Sequence, residues 1–199
     1  MAWRGDNKRP KKAFVGTANQ IINNDSLQFI KNIVENNSNH VWNKVYKRSV
    51  IEKISFQQGK KFEDIYYMTD LSKVIKNFAF IDYPLIDYRE RQGSIIQTMD
   101  KKYVDDYLGA FLYRVNHLKA NLGEDPSFQN YLHYKTYNRY AGLVKKLKDN
   151  QQLDMLNYLK DHFDIEFDHI HRCIGRQIGW IRYQKLGFKH RQTEKILSQ

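Results

Sequence analysis

Residues 125–149, DPSFQNYLHYKTYNRYAGLVKKLKD, carry the strongest helix signal in the sequence. Asp125 followed by Pro126 is typical of a helix start, because aspartate accepts hydrogen bonds from the first free amides and proline fits the first turn. Apolar and aromatic residues then recur at helical spacing: Phe128, Tyr131, Leu132, Tyr137, Tyr140, Val144 and Leu147. The pattern therefore predicts a long helix that ends near Asp149 and Asn150.

Apolar residues also recur at helical spacing in the segments before and after this helix. After a short break, the spacing predicts another helix with a stripe of Leu153, Leu156, Leu159, Phe163, Phe167, Ile170, Cys173 and Ile174. Before it, a helix is expected to begin near Ser94 or Asp100 and to stop at Gly123, where a left-handed cap favours glycine. Short loops between helices of similar length indicate antiparallel neighbours, so we expect a four-helix bundle core at residues 94–175.

The N-terminal half predicts three further helices. The first begins at Asp25 or Ser26, the second carries a stripe from Trp42 to Ile54 and ends at Gly59, and the third runs from about Phe62 to Phe80. No sustained alternation of apolar and polar residues occurs, so few or no strands are expected. The predicted fold is all-α: a four-helix-bundle core with an extended basic N-terminal arm and helical extensions. The arm comprises residues 1–24 and the helical extension comprises residues 25–93. A basic amphipathic tail is expected at residues 176–199.

Positive charge is concentrated at the two ends of the chain. The 199 residues carry 33 Lys and Arg against 22 Asp and Glu, a formal net charge of +11 at pH 7, which favours a polyanionic partner. A basic arm can lie along a phosphate backbone and release counterions without reading bases. The residues expected to bind nucleic acid are Arg4, Lys8, Arg9, Lys11, Lys12, Lys44, Lys47, Arg48, Arg172, Arg176, Arg182 and Lys185.

The C-terminal segment IGRQIGWIRYQKLGFKHRQ, residues 174–192, interleaves aromatic and basic side chains. Such a segment could grip nucleic acid, lie at a membrane surface or dock on a neighbouring subunit. Residues 1–20 and roughly 180–199 have few apolar anchors, so we expect both ends to become ordered only on assembly. No apolar run of about 18 residues and no signal peptide are present, so neither a membrane span nor secretion is expected.

The run DHFDIEFDHIH, residues 161–171, is the strongest hint of enzymatic chemistry. On one continuous helix, His162, Glu166 and His169 would share a face that could hold a metal. The competing interpretation is an amphipathic helix with buried phenylalanines and solvated polar residues, and no His-Glu-x-x-His, nucleophile or phosphate-loop motif accompanies the run. We therefore expect no enzyme activity, cofactor, metal or small-molecule substrate, and a metal-dependent nuclease is the minority alternative.

A sequence-specific DNA-binding regulator is the second alternative. A helix-turn-helix could be placed on residues 25–55, but its turn ENNSNH lacks the usual glycine. Zinc-finger spacing, a basic leucine zipper and an RNP motif are missing as well. Charge spread over both ends favours binding without sequence specificity over a single recognition helix.

Residues 141–174 resemble the C-terminal half of the major capsid proteins of filamentous and rod-shaped archaeal viruses, the lipothrixviruses and rudiviruses. The shared pattern is a helix end, a short break and a second helix: Ala141, Val144, Lys146, Leu147, then Leu153, Leu156, Asn157, Leu159, Lys160, Phe163 and Phe167. The basic N-terminal arm and the tyrosine-rich helical half are similar to that family's layout. Residues 38–93 are longer than the family's pattern.

The resemblance implies a four-helix bundle with an N-terminal extension, found in the virion. It further implies that the subunit pairs with itself or with a paralogous capsid subunit as a dimer, and that the dimers wrap double-stranded A-form DNA in a helical assembly. Lipothrixviruses add an envelope, so contact with envelope lipid is a possible further partner. The arm residues Arg4, Lys8, Arg9, Lys11 and Lys12 match the family's arm by position.

Overall fold

A computed structural model describes residues 19–81, 99–121, 125–163 and 180–198. In these ranges the chain is mostly helical, which confirms the all-α prediction. The helices are α1 (Ser26–Asn36), α2 (Arg48–Ile51), α3 (Glu63–Val74), α4 (Lys101–Asn121), α5 (Pro126–Asp149), α6 (Leu153–His162) and α7 (Trp180–Leu197). Two short strands, β1 (Ile21–Ile22) and β2 (Phe78–Ala79), pair antiparallel, with Ile21 opposite Ala79 and Ile22 opposite Phe78.

The described residues belong to two compact units. The first holds those of residues 1–94 and 120–123, and the second holds those of residues 95–119 and 124–199. The predicted boundary between the helical extension and the bundle, at residues 93 and 94, lies outside the described residues. The second unit, however, also contains the segment that was expected to form a separate tail.

In the first unit, α1 packs against α3. Asp25 caps α1 as predicted, because its side chain accepts a 2.7 Å hydrogen bond from the Gln28 amide. Ser26 Oγ donates to the Ile75 carbonyl at 2.7 Å, which ties the start of α1 to the end of α3. The completely buried side chains of Ile30, Met68 and Leu71 belong to the core of this unit.

The predicted helix from Trp42 to Gly59 is wrong, because only Arg48–Ile51 is helical. The preceding loop is folded around the Lys44 ammonium, which donates to the carbonyls of Ser38 at 2.8 Å and His40 at 2.7 Å. In an α-helix the His40 carbonyl would accept from the Lys44 backbone amide instead. The predicted apolar stripe is not buried either, since Val45 is 96% exposed.

Helix α3 is shorter than the predicted span of Phe62 to Phe80. It ends at Val74, and Ile75 is already extended. The chain leaves the helix because the segment that follows bonds to the start of α1: the Asp25 amide donates to the Lys76 carbonyl at 3.3 Å, and Phe78 pairs with β1. Strands of two residues are too short to give an alternating pattern, so the sequence does not reveal them.

In the second unit, α5 packs against α6 and α7, and α6 also contacts α7. The predicted cap is confirmed, because the Asp125 side chain accepts from the Phe128 amide at 3.1 Å and Pro126 begins the helix. Val144 and Leu147 of α5 and Leu159 of α6 are fully buried. Helix α4 joins through side chains: the Tyr158 hydroxyl of α6 donates to Asp105 Oδ1 at 2.8 Å.

The predicted continuous helix from Leu153 to Ile174 is wrong at Phe163. Helix α6 ends at His162, and Phe163 has extended backbone angles (φ −130, ψ 99). His162 is therefore the last residue of α6, and Glu166 and His169 lie outside the described residues.

The last helix also differs from expectation, because residues 180–197 form α7 and pack on α5 instead of standing apart as a tail. Leu186 and Thr193 of α7 are each only 2% exposed. Across the interface, Tyr137 of α5 lies 2.8 Å from His190 Nδ1, from hydroxyl to ring nitrogen. Two buried side chains and a partly buried hydrogen bond thus hold α7 on α5, although the sequence offers few apolar anchors there.

None of the helices in the described ranges is long and apolar enough to cross a membrane.

Candidate nucleic-acid interface

Five of the twelve basic residues predicted to bind nucleic acid lie in the described part of the chain. Lys44, Lys47 and Arg48 belong to the first unit, and Arg182 and Lys185 belong to the second. The other seven lie outside the described residues: Arg4, Lys8, Arg9, Lys11, Lys12, Arg172 and Arg176. The described candidates therefore form two groups, one in each unit.

In the first unit, Lys47 and Arg48 are exposed, whereas the Lys44 ammonium is enclosed by its own loop. Besides the carbonyls of Ser38 and His40, it donates to Asn43 Oδ1 at 2.7 Å. Burial lowers the pKa of Lys44 to about 8, although the negative charge of Asp64 opposes the shift. These contacts give Lys44 a structural role. Lys47 and Arg48 are exposed and are therefore better placed than Lys44 to contact a phosphate.

Replacing Lys44 with methionine should destabilise the first unit by about 1–3 kcal/mol, because two carbonyls lose a hydrogen bond from a charged donor. Urea denaturation monitored by circular dichroism measures the change. Lys47→Met is the matched control: its side chain is exposed, so the free energy of unfolding should move by no more than about 0.5 kcal/mol. Equal effects of the two substitutions would contradict the structural role of Lys44.

In the second unit, α7 carries a basic stripe composed of Arg182, Lys185 and Lys189. These positions are separated by three and four residues, so they share one face of the helix. Arg182 and Lys185 are exposed. Lys189 lies at the border with α5, where its ammonium donates to Asn138 Oδ1. Burial lowers the pKa of Lys189, and the nearby positive charge of Arg139 lowers it further.

Another face of α7 exposes an aromatic patch composed of Trp180, Ile181 and Phe188. Their side chains are 73%, 64% and 58% exposed. Phe188 lies seven residues after Ile181 and eight after Trp180, so it shares a face with each of them. This patch borders the basic stripe, because Lys185 lies four residues after Ile181 and three before Phe188. Exposed large apolar side chains that cluster in this way mark interaction surfaces more often than scattered ones do.

The side of α7 that packs on α5 fixes the orientation of both surfaces. Tyr137 is almost completely buried there, and burial raises the pKa of its hydroxyl. Its hydroxyl group meets His190, whose Nδ1 lies 3.9 Å from Glu194 Oε1. With Leu186 and Thr193 buried on the same side, α7 cannot turn its stripe away from solvent without losing these contacts.

A second set of cations lies where α4 meets α5. The rings of Tyr103, Tyr107 and Phe111 form a row along α4, with successive centroids 5.9 and 5.3 Å apart. Lys146 of α5 lies over the Tyr103 ring at 5.2 Å, and Arg139 of α5 lies over the Phe111 ring at 5.3 Å. Arg139, Lys146 and Lys189 are not among the residues that the sequence predicts to bind nucleic acid. The spacing of Arg139 and Lys146 along one helix was available as a signal, but their aromatic partners come from another helix.

Among the described residues, no group of three or more histidine, cysteine, aspartate or glutamate side chains is arranged to hold a metal ion. Comparison of the chain with known protein families, with curated proteins and with solved structures finds no match in any of the three.

Proposed function

We propose that this protein is a structural coat subunit that binds double-stranded DNA through its phosphates, without sequence specificity, and assembles with further copies into a helical virion. The observation that carries the proposal is that α7 exposes a basic stripe and, beside it, an aromatic patch. A polyanion is the natural partner of the stripe, and a protein surface is the natural partner of exposed aromatic side chains. One packed helix thus offers a contact for DNA and a contact for a neighbouring subunit.

The distribution of charge supports binding without sequence specificity. Lys47 and Arg48 in one unit and Arg182 and Lys185 in the other are exposed, in addition to the basic residues of the N-terminal arm. Exposed lysine and arginine side chains can neutralise phosphates from any surface, and such contacts carry no sequence information. The resemblance of residues 141–174 to archaeal virus capsid proteins supports the same role.

The finer architecture belongs to this proposal too. The packing of α5 with α6 and α7, and the α4 side chains that reach α5 and α6, are compatible with a four-helix bundle. We propose that the subunit pairs through the aromatic patch with itself or with a paralogous subunit. The bound DNA would be A-form, as in the capsid family that residues 141–174 resemble, and the protein would have no catalytic role.

Electron microscopy of the full chain mixed with linear duplex DNA tests the proposal. Regular filaments of constant diameter are expected, and duplexes of equal length but unrelated sequence should bind with the same affinity. Discrete particles, or a footprint confined to one sequence, would favour the regulator. Cleavage of the DNA in the presence of magnesium, manganese or zinc would instead indicate the nuclease.

The double substitution Trp180→Ser, Phe188→Ser separates assembly from DNA binding. We expect filaments to be lost while affinity for a duplex too short to hold two subunits changes by less than about threefold, because the phosphate contacts are electrostatic and remain. The exposed Leu153 of α6 supplies the control Leu153→Ser, which should leave filaments intact. Filaments that survive the loss of both aromatic residues would contradict the role of the patch.

A further inference from the structure

Helix α5 carries an open position between two cations. Arg139, Gly142 and Lys146 are separated by three and four residues, so they lie on one face of the helix. At a rise of about 1.5 Å per residue, the Cα atoms of Arg139 and Lys146 lie about 10 Å apart along the axis. Gly142 is exposed, and a Cβ atom built on it would meet nothing within 4 Å. The helix backbone at Gly142 is therefore accessible to a group lying between the cations.

Both cations are held in place by the aromatic row of α4. The Lys146 ammonium lies over the Tyr103 ring and donates to its hydroxyl at 3.3 Å. The Arg139 guanidinium lies over the Phe111 ring and hydrogen-bonds to Tyr107. Long basic side chains normally lose rotamer entropy when they bind a ligand. Because the aromatic contacts already restrict these two side chains, less entropy is lost on binding. A guanidinium has five N–H donors in a planar fork, a geometry that matches two oxygens of an anion.

A third cation, Lys189 of α7, adds positive charge at the Arg139 end. Its ammonium donates to Asn138 Oδ1, on the residue next to Arg139. Arg139 and Lys189 are close enough for one positive charge to disfavour the other. An anion placed beside both would attract each of them and offset this repulsion. The stripe of α7 and the open face of α5 thus meet at one positively charged border.

We propose that Arg139, Lys146 and Lys189 around Gly142 form a phosphate-binding notch that holds the backbone of double-stranded DNA. The notch suits a phosphodiester because the Arg139 fork can bond two oxygens at once, Lys146 and Lys189 add point charges, and the glycine admits close approach to the helix. This inference rests on the proposed DNA-binding function and extends it to three residues outside the twelve that the sequence predicts to bind nucleic acid.

The decisive variant is Gly142→Leu, which fills the notch from within. A leucine Cβ meets no neighbouring atom, and leucine favours helix more than glycine does, so the fold should keep or gain stability. Affinity for a 20-base-pair duplex should nevertheless fall about tenfold, the loss expected from roughly one displaced charged contact. Gly142→Ala is the matched control and should change affinity by less than about twofold, since its methyl group leaves most of the notch open.

Charge removal supplies an independent readout. The double variant Arg139→Gln, Lys146→Gln should reduce the slope of log affinity against log salt by about two, roughly one for each lost phosphate contact. Lys148→Gln, an exposed lysine on another face of α5, should reduce it by much less. If the double variant unfolds because Arg139 packs on Phe111, the comparison of Gly142→Leu with Gly142→Ala still tests the notch.

The outcomes separate this inference from the proposed function. Absence of DNA binding by the unaltered protein overturns both. DNA binding that Gly142→Leu leaves unchanged overturns the notch alone. Free phosphate is the other source of the same chemistry, so calorimetric titration with inorganic phosphate is run in parallel. Phosphate binding that Gly142→Leu abolishes, together with unchanged DNA affinity, would assign the site to a free anion and overturn the DNA notch.

Discussion

Deletion of residues 1–12 should weaken binding of double-stranded DNA by about 100- to 1,000-fold at 0.2 M salt. The deleted segment contains five basic residues and one acidic residue. Each neutralised phosphate contributes about 0.9 to the slope of log affinity against log salt, so losing four or five contacts flattens the slope by about four. Fluorescence anisotropy with a labelled duplex at several salt concentrations measures affinity and slope together.

A charge-neutral arm of natural length separates electrostatics from chain length. Arg4, Lys8, Arg9, Lys11 and Lys12 are replaced together by glutamine, and this variant should lose as much affinity as the deletion. A truncated protein that keeps the full salt slope would show that the arm does not touch phosphate. The charge of the described surfaces, including the stripe of α7, would then have to account for all binding.

Replacing Leu186 with alanine should destabilise the second unit by about 2–5 kcal/mol, the usual loss for truncating a fully packed leucine. Leu186 is only 2% exposed, and α7 packs against α5 on this side. Phe188→Ala, on the same helix, is the control. It removes a larger side chain that is 58% exposed, so the free energy of unfolding should change by no more than about 0.5 kcal/mol.

The comparison decides between two descriptions of the C-terminal segment. If α7 were an unpacked tail, as its composition suggests, Leu186→Ala and Phe188→Ala would have equally small effects. Hydrogen exchange without DNA gives a second measurement: amides of residues 186–193 should be protected in the free protein, because they lie in a helix packed on α5. Rapid exchange there would restore the description of a segment that becomes ordered only on assembly.

Local signals in the sequence determined the helical character of the chain and the starts of two helices. Asp25 and Asp125 cap α1 and α5 as predicted, because an N-cap depends on atoms only three residues apart. The period of α5 likewise identified Leu132, Tyr137, Val144 and Leu147 as its buried face. Net charge and the position of the basic residues, which require no structure, led to the expectation of a polyanionic partner.

Contacts between residues distant in sequence decided the rest. The Lys44 ammonium donates to backbone carbonyls that would accept from backbone amides in a helix. The pairing of Phe78 with Ile22 ends α3 before its predicted end at Phe80. Tyr137 and His190, 53 positions apart, help to turn an expected tail into a packed helix. The notch at Gly142 requires rings from α4 and a lysine from α7. Periodicity describes which face of a helix is apolar, but only packing chooses the partner of that face, because a pattern of single residues contains no information about distance between elements.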